Sequence, residues 1–505
     1  MAVIIGGNLT CEEVLRVARF NEKIVLDPGA PERIAASRAV VDNIVAENRI
    51  SYGITTGVGK LCNTLVSPEN AQQLQVNISI SHACGFGDPL REEEVRAIML
   101  IRANIFTLGF SGVSIEVVEM LIEMLNAGIH PVLPKKGGIG SSGSLSIGAH
   151  LAKCMRGEGD VFFHGQRMES VHALERAGIK PYVFKAKEGL SMLNGTHAMC
   201  GIGILAYCDI MAAIKCAEIT AAISLEALTG NTAAFDLRVH NAKKHPGQMA
   251  TASNILRMID GSDLYNLKPF NVQDAYSFRC LPQTHGAARE ILTCVKEALE
   301  REINSASDNP IVIAKDGAVL SNGNFHGQLA AIFLDNIAIA GATIAKITER
   351  RISRLVDPQS SRLPDFLIPN SGINSGYMIP QYLSASLTAE IKLLANPVST
   401  DSIPTSGGQE DVVSNGTISA NKAREVSECL AAIVGVEMIC AAQALELSGR
   451  ENYGKGTGAA YACIREIIPK LVDDRVLEPE IIKATGLVSG GKYINAVETA
   501  IGALE

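Results

Sequence analysis

Seven polar segments, most of them glycine-bearing, interrupt an otherwise apolar chain and hold most of the residues that could do chemistry. They are SYGITTGVG (51–59), SHACGFG (81–87), GGIGSSGSLSIG (137–148), LNGTH (193–197), QDAYSFR (273–279), SNGNFHG (321–327) and GGQEDVVSNG (407–416). Among them are tyrosines that could move a proton if their surroundings tune them, and a guanidinium that could grip a carboxylate at two points. They also carry a histidine and a carboxylate that could hydrogen-bond a polar ring. Each segment alone is an ordinary helix-linking turn. Seven in one chain point to a shared site, because loops carry binding and catalytic groups more often than the elements they join.

Several chemistries are excluded. Gly138, Gly140 and Gly143 satisfy GxGxxG, but a dinucleotide site needs a preceding strand within a βαβ unit, and HPVLPKK (130–136) is broken by two prolines. No GK[ST] marks a P-loop, and Ser142 is not in GxSxG, so no hydrolase elbow is present. The 12 cysteines form no CxxC pair, so neither a metal site nor a redox motif is expected, and reduced thiols of a cytoplasmic protein are the plain reading. Net charge is -8 and the basic residues form no run, which argues against nucleic acid as a partner. The start, MAVIIGGNLT, lacks a basic stretch followed by a long apolar run, so no leader is expected. Residues 189–208 carry no formal charge. Asn194, Gly195, Thr196, His197 and Gly201 would nevertheless be costly in lipid, so a polar loop running into a core helix is expected, not a membrane span.

The elements that must position these segments are mainly helices. Hydrophobic residues make up 47% of the 505 residues, charged residues 19%, aromatics 5%, and Trp is absent. Small aliphatic side chains of this kind suit closely packed helices better than sheets, and a chain this long buries a large core. Helical spacing predicts helices at 10–20, 30–48, 67–82, 91–108 and 114–127, the last with Ser114 as N-cap and Gly128 as its end. Beyond residue 200 longer helices are predicted at 202–229, 287–303, 328–355, 386–395 and 420–447. In the third of these, Phe333, Ile337, Ala340, Ile344 and Ile347 recur as one apolar face. The expected architecture is mainly α: a mixed, loop-rich part over 1–200 and a long helical bundle with C-terminal helices over 201–505.

The run GIGSSGSLSIGAHLA resembles the electrophile segment of the aromatic amino acid ammonia-lyases and aminomutases. YGITTGVGKL, LNGT, QDAYSFRCLPQ, NSASDNP, GNFHG, NSGYMIPQY and QEDVVS match further blocks of that family in order, over nearly the whole chain. The resemblance implies an all-α homotetramer with active sites shared between subunits. It also implies a methylidene-imidazolone (MIO) formed from Ser141, Ser142 and Gly143, with no external cofactor and no metal. The Gly143 nitrogen would attack the Ser141 carbonyl, and Ser142 would lose water. By the same resemblance Tyr52 is the base that removes the substrate β-proton, which requires surroundings that lower its pKa. Tyr276 stands near the electrophile, Arg279 clamps the substrate carboxylate, Asn194 and Gln273 supply neutral hydrogen bonds, and Phe325 walls the ring.

Within that family, histidine lyases are similar to this chain in carrying Ser-His at Ser81-His82 and Glu at Glu410, where the phenylalanine enzymes differ. Glu410 suits an imidazole, since a carboxylate accepts a ring N–H. The implied substrate is therefore a small imidazole amino acid, and the implied reaction is loss of ammonia from histidine to give urocanate. The electrophile segment departs from the family: Ser141 stands for Ala, Ser144 for Asp, and Ser146-Ile147-Gly148 for Ala-Pro-Leu. Three alternatives follow: elimination of trimethylamine from a histidine betaine without MIO, as in ergothionases; a 2,3-aminomutase; or a lyase-like scaffold without activity.

Overall fold

The computed structural model describes every residue except Met1, Ser141 and Ser142. Among the described residues there are 20 α-helices and nine strands of three or four residues each, a mainly α architecture as the sequence predicts. The chain forms two compact units: residues 1–205, 295–335 and 397–421, and residues 206–294, 336–396 and 422–505. The first unit ends its opening stretch close to the division at residue 200. It adds two later stretches because the helices Leu281–Ile303, Gln328–Val356 and Gly416–Leu447 are each divided between the units.

In the first unit, the helix Cys11–Phe20 starts with a reciprocal capping box. Thr10 Oγ1 accepts from the Glu13 N–H at 3.2 Å, and Glu13 Oε2 accepts from the Thr10 N–H at 3.0 Å. The helix Ala30–Ala46 places Val40, Val41 and Ile44 in a cluster with Ala71, Ala186, Val312 and Ile54. Ile54 thereby fastens the segment 51–59 to the core. The helix Glu92–Phe106 is buried along nearly its whole length. Ile115–Ala127 ends at Gly128 with φ of 80°, a left-handed cap that glycine adopts without strain. Ser114 occupies the N-cap position, but its hydroxyl donates to Glu188 Oε1 at 2.6 Å and makes no capping bond. The strands form small, separate sheets. Val3–Ile5 pairs in parallel with Ile24–Leu26, and Phe86–Pro89 runs antiparallel to Pro134–Lys136 beside the electrophile segment.

In the second unit, Ile337, Ala340, Ile344 and Ile347 are buried and line the predicted face. A buried ion pair joins Arg351 to Glu437 (Nη2–Oε2 2.7 Å), and Arg289 meets Glu218 at 2.7 and 2.8 Å. Burial by itself would push the Glu218 carboxyl up. The Arg289 charge and its two hydrogen bonds, with the His285 ring close by, outweigh it and hold the group well below the usual carboxylate range.

Several helix starts differ from the sequence expectation, two of them by six residues or more. Met378–Leu394 begins eight residues before Ser386, and Leu281–Ile303 begins six before Ala287. Pro380 and Pro282 sit in first turns, where a missing N–H leaves no helical bond unmade. Three helices, His197–Ala227, Gln328–Val356 and Gly416–Leu447, are long and apolar enough to cross a membrane. In their most apolar windows 78%, 61% and 83% of residues are buried inside the protein.

Candidate active site

Six of the seven segments lie in the first unit and interlock there. The Tyr52 hydroxyl oxygen accepts from the Gly59 N–H at 3.0 Å, so the segment folds back on its own tyrosine. The Lys60 N–H donates to Ser406 Oγ at 3.3 Å, which ties this loop to the turn that carries Glu410. That turn closes on itself: the Thr405 N–H donates to the Glu410 carbonyl at 2.8 Å, and the Thr405 hydroxyl donates to Glu410 Oε2 at 3.0 Å. His82 caps the helix Ala71–Ser81, and its Nδ1 lies 3.0 Å from Ser81 Oγ. In the 321–327 segment Phe325 is half-buried, and His326 Nε2 lies 3.2 Å from the Val412 carbonyl.

The electrostatics join three of these groups. Burial raises the Tyr52 phenol, the Gly59 N–H lowers it, and the Glu410 charge raises it again, leaving the net value above the ordinary phenol. The sequence reading required a lowered value; in this chain burial wins, so proton abstraction would strengthen toward alkaline pH. His82 is lowered, chiefly by burial, with the Glu410 charge opposing, so its imidazole is neutral at neutral pH. Glu410 therefore lies near enough to act on both Tyr52 and His82.

The electrophile segment is held by its flanks; Ser141 and Ser142 themselves lie outside the described residues. Gly143 bridges Gly195, and the Ser144 N–H donates to the Gly195 carbonyl at 3.2 Å. At Gly143, φ is 82° and any Cβ would collide with that carbonyl, so only glycine fits there. This close backbone approach suits a ring built from Gly143. Asn194, buried beside it, donates from Nδ2 to the Asn309 carbonyl at 2.8 Å. The turn 194–195 is gripped by Arg102, which hydrogen-bonds the Asn194 carbonyl and His197 Nδ1. Burial pulls the Arg102 guanidinium down to about 10 against the favourable charge of Asp308. Asp308 itself pairs with Lys187 at 2.9 Å, both fully buried.

The second unit holds Gln273, Tyr276 and Arg279. Tyr276 is 69% exposed and its ring lies beneath the Arg279 guanidinium, 4.4 Å from ring centre to Cζ. Arg279 Nε donates to the Asp274 carbonyl at 3.0 Å. The Gln273 amide oxygen, oriented toward the guanidinium, accepts from Arg279 Nη1 and Nη2 at 2.6 and 2.8 Å. Gln273, Asp274 and Arg279 line a cavity of about 360 Å³ with Asn231, Val272 and Gln283; Tyr276 is not part of its lining. Because its side-chain partner is a neutral amide, Arg279 keeps its charge available for an anionic group.

Sequence reading missed Arg102, one of two arginines with Arg96 in the largely apolar stretch EVRAIMLIRANIF, where a charged side chain among core residues was the available signal. It also missed Thr405 and Thr417, which gave none. Among the described residues no group of three or more His, Cys, Asp or Glu could hold a metal ion.

The aromatic amino acid lyase family matches residues 9–466, and the chain belongs to that family, a class of carbon–nitrogen lyases. A histidine ammonia-lyase of Alkaliphilus metalliredigens is 46% identical over 500 residues, covering 99% of each chain. Among solved structures, histidine ammonia-lyase from Trypanosoma cruzi superposes with a TM-score of 0.92 at 34% identity, over 99% of this chain and 96% of that one. Tyrosine aminomutase from Streptomyces globisporus gives 0.96 at 33% identity, with both chains fully covered.

Proposed function

We propose that this protein eliminates ammonia from histidine to give urocanate, by removal of a β-proton and cleavage of the C–N bond. The observation that carries the reading is Glu410 placed to act on both Tyr52 and His82 within one unit, in a chain 45–46% identical to histidine ammonia-lyases over its full length. Glu410 accepts the substrate imidazole N–H, and neutral His82, positioned by Ser81, adds a second ring contact. Tyr52 takes the β-proton, and the Gly59 N–H already aimed at its oxygen stabilises the phenolate. Arg279 binds the substrate carboxylate with Gln273 beside it, Asn194 hydrogen-bonds near the reacting centre, Phe325 walls the ring, and Tyr276 stands over the amino group. The exposed Tyr276 suits a homotetramer with shared active sites, in which a partner subunit would cover it.

No external cofactor is required. A methylidene-imidazolone formed from Ser141, Ser142 and Gly143 would supply the electrophile that captures the substrate and eases loss of ammonia. The base and electrophile segments both lie within residues 1–200, and the carboxylate clamp lies within 201–505. A cytoplasmic location fits 12 cysteines scattered along the chain without a CxxC pair. Intact mass tests the cofactor: the chain is expected two waters lighter than its sequence. A full sequence mass together with turnover of the trimethyl betaine of histidine would replace this reading with cofactor-free elimination.

A further inference from the structure

The electrophile segment is grasped from a second side by residues 414–417, at the start of the helix Gly416–Leu447. The Asn415 N–H donates to the Ile139 carbonyl at 2.9 Å, and the Ser414 hydroxyl donates to the Gly140 carbonyl at 3.1 Å. Gly140 lies so close that any Cβ would strike Ser414 Oγ. On the far side of the cyclising pair, Ser144 Oγ lies 3.4 Å from Thr417 Oγ1, and both residues are essentially inaccessible to solvent. One four-residue stretch thus touches the segment just before Ser141 and just after Gly143. It leads directly from the turn that carries Glu410.

A hydroxyl in a fully buried place needs a hydrogen-bond partner, and for Ser144 Thr417 is that partner. We infer that Thr417, through Ser144, is a positioning residue for ring closure. Ring closure joins the Gly143 nitrogen to the Ser141 carbonyl carbon. That oxygen leaves as water with the amide hydrogens of Gly143 and Ser142. A second water takes the Ser142 hydroxyl and its Cα hydrogen. Two waters balance the step, and no oxidant or reductant enters. Unimolecular closure of this kind depends on how closely the two ends are held, and small misplacements slow it steeply. The Thr417–Ser144 contact fixes the trailing end, while Asn415 and Ser414 fix the leading one.

This inference rests on the self-formed electrophile proposed above, and intact mass separates the two. Thr417→Val keeps the shape and deletes the hydroxyl. The fraction of chains two waters lighter is expected to fall several-fold relative to the unsubstituted protein, with helical content and unfolding temperature held, and Thr417→Ser is expected to restore it. Full maturation of Thr417→Val beside a fully mature parent would overturn the role of Thr417 and leave the electrophile standing. A parent at full sequence mass would overturn both. Should Thr417→Val fail to fold, Ser144→Ala carries the same test: several-fold slower appearance of the lighter species supports the inference, and an unchanged rate sinks it.

Discussion

Tyr52 and Arg279 sit in opposite kinds of surroundings. The first-unit cluster is half-buried and placed by loops that brace one another: Gly59 on Tyr52, Ser406 on Lys60, Thr405 on Glu410. The second-unit segment is more open, with an exposed Tyr276 and a guanidinium held by Gln273 and a ring face. The lesson is a division of labour. Proton transfer needs a shielded group whose pKa its neighbours control, whereas capture of an anionic carboxylate needs an available charge more than it needs burial.

Substitutions can break that contrast, and the largest effect is expected at the shielded end. Tyr52→Phe removes the base while keeping its shape, and kcat is expected to drop roughly 10²–10⁴-fold, the span of general-base contributions. Steady-state kinetics with histidine check it, and retained turnover would place the base elsewhere. Arg279→Met is expected to lower kcat/KM by roughly 10–150-fold, matching about 1.5–3 kcal/mol for hydrogen bonds to a charged group. Arg279→Lys should recover only part of it, because an ammonium cannot grip a carboxylate at two points.

Stability tests the foundation of the first unit. Asp308→Asn strands the buried Lys187 charge and is expected to cost about 3–5 kcal/mol in denaturant unfolding. The mildest probe is pH. Since Tyr52 is raised, phenolate is scarce at neutral pH, and kcat/KM should climb toward tenfold per pH unit on the alkaline side until the phenol ionises. His82, being lowered, becomes charged only at acid pH, so its loss of function belongs to the acid limb. A flat profile through the alkaline range would remove Tyr52 from the rate-limiting proton transfer.

Local chemistry was readable from the chain, and long-range chemistry was not. Thr10 and Glu13 announce their capping box three residues apart, and Gly128 announces its helix end. Ser114 was recognisable as a cap position, but its hydroxyl answers to Glu188, 74 residues away. The seven segments could be found by composition, and six of them do interlock within one unit. Nothing in the sequence joined Ser144 to Thr417, 273 residues on, because two hydroxyls carry no spacing signal. Tyr52 marks a second limit: its type suggested a base, while the direction of its pKa follows from burial that only the packed loop reveals.

The central claim is most directly tested by incubating the protein with histidine alone, without added cofactor, and following urocanate absorbance and ammonia together. Both are expected to rise in equal amounts, and Glu410→Gln should slow the rise. Neither product from histidine, with the trimethyl betaine of histidine consumed under the same conditions, would contradict it.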